Sequence, residues 1–367
     1  MEEQSSNWTT RAHWEGLDFN GLTAQWDAFR SVAMRNSKGK VICPKVGVSY
    51  FYYESASAWV RGAIATRDIA PGSVFCEMPV ERLITRHTID NSSLAPLLTT
   101  FAPKRLRGST TRHPRPTFYE RLLEERTAIV VFMLREMARE SSNHMPYFSM
   151  VRSHDTDAMP MLWPPSSPRW ANSTSLLRRI AMRSRKVMDA QYDHTVLPAL
   201  ERLATPLSEG LDCLVTTTQR ACPRQILKGV YSRSRFVRMS AIVTARYWVL
   251  PMYGVRRALM SPVLDMMNFG QMGIRVEFND RRHAFVARNL GHRPILRGSE
   301  LKFNYGTLCR EVWFNLYGFD LHELQPCNQE QVQEAWSNQV LEPDENKYEQ
   351  WVQEWQQHMQ QHSHGDL

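Results

Sequence analysis

The stretch Gly298–Phe319, GSELKFNYGTLCREVWFNLYGF, decides how the rest of the chain reads. A Gly-Ser turn opens it. Leu301-Lys302-Phe303-Asn304 follows as a short strand-like run that stops at Tyr305-Gly306. The residues beyond read as a helix carrying its apolar positions toward Tyr317-Gly318-Phe319. A tyrosine held where a strand stops, beside a glycine that frees the backbone, is well placed to point a phenol into a cleft. A lone Tyr-Gly is equally the mark of a turn packed on a core. Its meaning therefore depends on what else the chain supplies.

Two further blocks lie at suitable distances. One is Ala258–Phe269, ALMSPVLDMMNF, and the other is Val60–Gly72, VRGAIATRDIAPG. Taken in order, the three blocks resemble the SET-domain protein methyltransferases. They are most similar to the branch with a large helical insert, typified by the Rubisco large-subunit and actin-histidine methyltransferases. In that branch a G-x-G-L-x-A-T-R-D-I block precedes D-x-x-N-H, then G-E-x-x-x-x-Y-G, then Y-G-F. The resemblance runs from about Trp59 to Phe319.

The resemblance implies an α+β fold of small, mostly antiparallel sheets. A knotted crossing is expected where Asn268 meets the Tyr305 segment, with a helical insert between the two halves. It implies S-adenosyl-L-methionine as cofactor and a lysine or histidine of a protein partner as methyl acceptor. Tyr305 would face the methyl group, and Tyr317 resembles a second tyrosine that some relatives use. Val60, Arg61 and Gly62 occupy the G-x-G block, where the backbone approaches the cofactor. Asn268 would hold the cofactor's amino-acid end, and Asp265 would tie the crossing segments together. In Ser232-Arg233-Ser234-Arg235-Phe236 the family's S-R-x-F arginine is either Arg233 or Arg235.

This chain departs from the family pattern at several positions. Val60 stands for the first glycine of G-x-G, Trp59 for an acidic residue, and Phe269 for the histidine of N-H. Trp59 reads either as a ring stacked on a ligand or as core. Replacing the histidine by Phe keeps a planar ring and loses a donor, which costs roughly 1–3 kcal/mol if a buried partner is left unpaired. A drifted enzyme has this pattern. So does a SET-like scaffold or binding module that has lost its cofactor pocket, for which a ribonucleoprotein partner is the alternative, because phosphate contacts supply most sequence-independent affinity.

Composition bounds the reading. The 367 residues are 43% hydrophobic and 22% charged, which is ordinary for globular domains. No run of about 18 apolar residues occurs, so no membrane span is expected. The polar Met1-Glu2-Glu3 start lacks both a secretory apolar core and transit-peptide character. A cytoplasmic or nuclear site is expected, with a mitochondrial one left open by a pI of about 9.3.

The six cysteines form no C-x-x-C pair and read as reduced thiols without zinc. His358, His362 and His364 have an i, i+4 element, but they lie in a Gln-rich tail, and no metal site is assigned.

The net charge of +8 is unevenly spread. From Cys213 through Leu264 there are nine basic residues and no acidic one. From Asp320 onward there are ten acids and one base, Lys347, so residues 1–319 hold 44 of the 45 basic residues against 27 of the 37 acids. A basic body with an acidic tail fits an acidic partner, a tail folded over a basic cleft, or a solvated face.

The expected organisation is an N-terminal helical extension (1–40), a first SET-like part (41–86), a helical insert (87–224), a second SET-like part (225–319) and an acidic helical tail (320–367). Leu17–Met34 has helical spacing at Leu22, Trp26 and Phe29. Val41–Cys43 and Val46–Tyr53 read as strands. Ala63–Ala65 and Ser73–Glu77 are expected to pair around a type II turn with Pro71 at i+1 and Gly72 at i+2. Phe118–Glu140, Leu176–Met188 and Tyr192–Leu203 read as helices, and residues 104–115 as a loop. Met145–Met150 and Pro160–Pro164 resemble the family's S-x-W-x-P-Y and P-x-x-W segments. Arg275–Asn279 and His283–Ala287 read as a hairpin. In the tail, Glu330–Trp336 and Asn346–His362 read as helices.

Overall fold

The computed structural model describes residues 19–33, 42–53, 58–92, 118–139, 142, 144–151, 156–203, 229–270, 272–305, 308–321, 324–328 and 330–332. The structure is a set of small sheets closed around one core, with helices inserted between the two halves. Strands β1 (Val46–Tyr53) and β2 (Ala58–Ala65) form an antiparallel pair in which Gly62 lies opposite Ser49. Strand β3 (Val74–Pro79) pairs with β9 (Ala284–Asn289), and β9 pairs with β8 (Ile274–Asn279). A third sheet has the order β4 (Ile84–Thr85), β6 (Val255–Met260), β5 (Trp248–Met252). The two-residue strands β7 (Asn268–Phe269) and β10 (Lys302–Phe303) pair in parallel. That last pair is the crossing expected from the sequence.

Two strand expectations are corrected. Ile42 and Cys43 lie in a bend before β1 and not in a strand. Ala63–Ala65 and Ser73–Glu77 do not pair with each other. The first bonds to β1 on one side and to Ser299 and Leu301 on the other, and β3 bonds to β9. The turn between them forms as the sequence predicts: Gly72 has φ 70°, and Ser73 N–H donates to the Ala70 carbonyl at 3.2 Å. The hairpin of β8 and β9 is present, with Glu277 opposite Val286.

The helices are α1 (Phe19–Ala33), α2 (Arg86–Asp90), α3 (Phe118–Met137), α4 (Met145–Met150), α5 (Ser175–Gln191), α6 (Leu197–Leu203), α7 (Arg233–Arg246) and α8 (Arg310–Tyr317). The apolar positions that mark α3 in the sequence bury Leu122, Ile129, Val130, Met133 and Leu134. Glu125 on the same helix is buried because it has work for both oxygens. It accepts from the Arg257 guanidinium at 2.6 Å and from Ala258 N–H at 2.8 Å, which fixes α3 to β6. Helix α5 begins under a Thr174 cap whose hydroxyl accepts from Leu177 N–H at 3.0 Å. The helix expected over Tyr192–Leu203 is split, with one π-turn at Tyr192–Val196 leading into α6. Helix α1 lays Trp26 and Phe29 against the insert, with the Phe29 and Tyr147 rings 6.0 Å apart.

The reading of the cysteines as reduced thiols is also corrected. Cys43 is bonded to Cys76 and Cys309 to Cys327. The partners are 33 and 18 residues apart and meet only through the tertiary fold, so spacing alone gave no sign of them. The second bond fastens the segment after α8 to the N-terminus of that helix. Cys213 and Cys222 lie outside the described residues, as do the loop at 104–115, the three tail histidines, the expected helix at Asn346–His362, and Glu330–Trp336 beyond its first turn, Glu330–Val332. Among the described residues no helix is long and apolar enough to cross a membrane.

Candidate active site

The centre of the candidate site is the face of β2 at Gly62. A Cβ placed on Gly62 would stand 2.4 Å from Asn268 Nδ2 and 3.0 Å from Glu300 Oε1. Only glycine lets the Asn268 amide lie across the strand here. Asn268 reaches this position from β7, and Lys302 opposite it on β10 follows Glu300 by two residues, with Glu300 itself bridged to Ile64 of β2. The Asn268 amide donates to Glu300 Oε1 at 2.8 Å, and the Tyr53 hydroxyl donates to the same oxygen at 2.8 Å. Lys302 Nζ sits 3.2 Å from Glu300 Oε2 and lies over the Tyr53 ring at 5.0 Å. Burial, and then the Glu300 charge, push the Tyr53 phenol well above its ordinary range, so it stays a donor.

Tyr305 stands at the other end of the crossing. Its hydroxyl donates to the Met267 carbonyl. Its ring lies in an aromatic wall with Tyr317 at 5.3 Å, Trp313 at 5.8 Å and Phe269 at 5.9 Å. Trp313 is fully buried and fills the middle of this wall, 4.5 Å from Phe269 and 4.3 Å from Tyr317. Helix α8 delivers Trp313 and Tyr317 and ends at Gly318, whose φ of 77° suits a left-handed cap. Burial raises both the Tyr305 and the Tyr317 phenols, so neither is a base at neutral pH. With its proton committed to Met267, the Tyr305 oxygen keeps its lone pairs for accepting contacts from elsewhere.

Asp265 sits beneath the crossing in a tight turn (Leu264–Met266). The turn is entered through Val263, a β-branched residue at φ 85°. Such a conformation stores strain of about 1–3 kcal/mol and is a feature of functional sites. The sequence reading has Asp265 tying the crossing segments. In the structure its Oδ2 instead accepts from the Tyr147 hydroxyl of α4, which fastens the turn to the helical insert. Arg246, the last residue of α7, donates to the Asp265 carbonyl at 3.1 Å. Burial pushes the Asp265 carboxyl up to about 6, against the opposing pull of Arg246, Tyr147 and Arg61.

The structure thus brings together Gly62, Asn268, Phe269, Tyr305, Tyr317 and, one layer below, Asp265. Val60 and Arg61 lie on β2 opposite Phe51 and Tyr50. Main-chain groups of Ala63 and Ala65 point to the outer edge of β2, where they bond Leu301 and Ser299. By the two-residue period of a strand, those of Arg61 and Trp59 face the same edge. Arg235 lies apart from this group. It is exposed on α7 and borders an apolar cavity of about 270 Å³ with Met133, Met137, Met239 and Ile242. Arg233, the other arginine of that motif, pairs with Asp193. The arginine that α7 does bring to the site is Arg246.

Sequence reasoning missed Tyr53, Tyr147, Arg246 and Glu300. Glu300 lay in plain view within the decisive stretch, five residues before Tyr305 at the glutamate of the G-E-x-x-x-x-Y-G pattern, and that match could have flagged it. Among the described residues no group of three or more His, Cys, Asp or Glu side chains is placed to hold a metal ion.

No family model matches the sequence, and no curated protein is similar to it at a significant level. Solved structures do match. The SET domain of LSMT bound to lysine and AdoHcy aligns at 14% identity with a TM-score of 0.50, over 76% of this chain and 53% of that one. Rubisco LSMT bound to sinefungin and monomethyllysine aligns at 13% identity and TM-score 0.52, over 84% and 57%. Rubisco LSMT bound to AdoMet aligns at 12% identity and TM-score 0.51, over 82% and 57%. The chain spans a little over half the length of these proteins. At such identities the likeness is one of architecture, and the chain has the SET-like α+β fold.

Proposed function

We propose that the chain is a protein methyltransferase that uses S-adenosyl-L-methionine to methylate a lysine or histidine side chain of a protein partner. The observation that carries this reading is the crossing itself: Asn268 seated on Gly62 at one end, and the Tyr305 phenol against the Met267 carbonyl at the other. The residues fit the cofactor in kind. Its amino-acid end is a zwitterion, and the polar cluster of Asn268, Glu300 and Lys302 offers an amide and both signs of charge. Its sulfonium end suits a wall of aromatic faces, which Phe269, Tyr305, Trp313 and Tyr317 provide. When bound, the cofactor supplies an electrophilic methyl group for an in-line displacement.

The chain's own part is alignment and desolvation. Asn268 and the main chain of residues 59–62 would hold the amino-acid end. The Tyr305 oxygen and the Met267 carbonyl would line the path of the methyl group. An aromatic wall excludes water and lowers an amine's pKa, leaving its lone pair free to attack. Phe269, where relatives carry histidine, gives up a donor and joins this wall through Trp313 at 4.5 Å.

The full burial of Trp313 in the middle of the wall favours a second reading, a SET-like scaffold whose interior is closed by its own side chains. Its partner would then be another macromolecule, such as a ribonucleoprotein meeting the basic body. Calorimetric titration of S-adenosylmethionine into the protein separates the two. Micromolar binding that Asn268→Ala abolishes supports the enzyme; no binding at millimolar cofactor leaves the scaffold.

A further inference from the structure

The Asn268 amide is held by a partner that can only accept. Glu300 is a carboxylate with its side chain 10% exposed, and Lys302 Nζ stands 3.2 Å from its Oε2. Its Oε1 takes hydrogen bonds from Tyr53 and from Asn268, each at 2.8 Å. A carboxylate offers no proton, so Asn268 must turn its NH₂ toward Glu300. The amide oxygen is then forced to the opposite fork, where it accepts no hydrogen bond among the described residues. An asparagine free to rotate about its last bond would present either a donor or an acceptor to a ligand. This one is fixed as an acceptor. Gly62 beneath it removes the Cβ that would push it out of place.

We infer that Glu300 is a positioning residue that locks the Asn268 carbonyl toward the site, so that it accepts from the α-ammonium of S-adenosylmethionine. The inference rests on the cofactor reading above and gives Glu300 its part in it, that of orienting Asn268. The locked face selects for a ligand that brings N–H donors, and against one that brings only a carboxylate there. Tyr53 shares the same Glu300 oxygen and braces the carboxylate from the β1 side.

The test is calorimetric binding of S-adenosylhomocysteine and of its analogue lacking the α-amino group, with thermal unfolding of every variant as a control for folding. Glu300→Gln lets the amide pair reverse, and affinity for S-adenosylhomocysteine falls about tenfold, the worth of one charge-assisted hydrogen bond. The analogue binds the wild type and this variant equally. The loss persists between about 50 mM and 500 mM salt, whereas a loss of long-range attraction alone is screened. The double variant Glu300→Gln, Asn268→Asp recovers affinity, because the glutamine NH₂ now donates to one aspartate oxygen and leaves the other as acceptor. Unchanged affinity in Glu300→Gln, or a double variant no better than the single, overturns the positioning role while leaving the cofactor reading intact. A wild-type protein that binds neither compound overturns both.

Discussion

Replacing Asp265 by asparagine is expected to stabilise this protein at alkaline pH relative to acid pH. The carboxyl is nearly inaccessible, accepts from Tyr147 through Oδ2, and has an Oδ1 without a partner among the described residues. Burial raises its pKa from 3.8 to about 6. At about 1.4 kcal/mol per unit, ionisation inside the fold costs about 3 kcal/mol. The folded pKa lies above the unfolded one, so the native state holds the proton more tightly. The cost is therefore fully present above about pH 6 and is relieved as the pH falls toward 3.8.

Asparagine keeps the shape and removes the charge. It also places an NH₂ where Oδ1 had no partner, a penalty of about 1–3 kcal/mol that does not depend on pH. That constant cancels when the two proteins are compared at two pH values. Urea unfolding at pH 8 and at pH 4 is the assay. The stability of Asp265→Asn minus that of wild type should be about 2–3 kcal/mol more favourable at pH 8 than at pH 4. Parallel pH profiles for the two proteins would show that the carboxyl ionises without cost and would refute the reasoning.

Gly62→Ala drives a methyl group into the Asn268 amide; folding loses about 1–3 kcal/mol, while calorimetry should show cofactor affinity falling more than about tenfold. A variant that binds normally would mean that Asn268 does not need its seat on β2. Tyr305→Phe removes the hydroxyl beside the Met267 carbonyl. Turnover should drop about 10²–10³-fold, with cofactor affinity within about threefold, because the contact matters most at the transition state. Equal losses in binding and turnover would sink that assignment. Cys327→Ala opens the loop closed to Cys309 and should cost about 3 kcal/mol in denaturant unfolding. Peptide mapping of the wild type without reductant should recover the bonded pair.

What the sequence made legible was whatever a local pattern controls. The apolar stripe of α3, the Pro71-Gly72 turn and the alternation of β8 and β9 all depend on neighbours within a few residues. The crossing was legible only through order, because a two-residue strand such as β7 has no periodicity to read. Pairing partners were not legible. Ala63–Ala65 finds Ser299 and Leu301, not the nearby Ser73–Glu77, and nothing within β2 specifies that choice. The candidate site divides in the same way. Asn268 and Tyr305 sit in ordered motifs, whereas Tyr147 and Arg246 reach Asp265 from helices whose docking is a tertiary matter. Arg233 and Arg235 were offered by motif register alone; both are exposed near the start of α7, and it is Arg246, eleven residues beyond Arg235 and so at the far end of nearly the same helix face, that reaches the Asp265 carbonyl.

The bonding of β2 to Ser299 and Leu301 bears on how the chain is made. The β1–β2 hairpin, rich in valine and aromatic residues, emerges from the ribosome early. The residues that cover its outer edge follow about 240 positions later, which at 5–20 residues per second is a wait of about 10–50 s. Throughout that interval the hairpin offers an open, sticky edge to any neighbouring chain. The edge of β2 is therefore expected to stay open to misassociation until residues 299–301 have been made. A chain cut short before Leu301 would present that edge permanently and aggregate, even though every residue of its first sheet is in place.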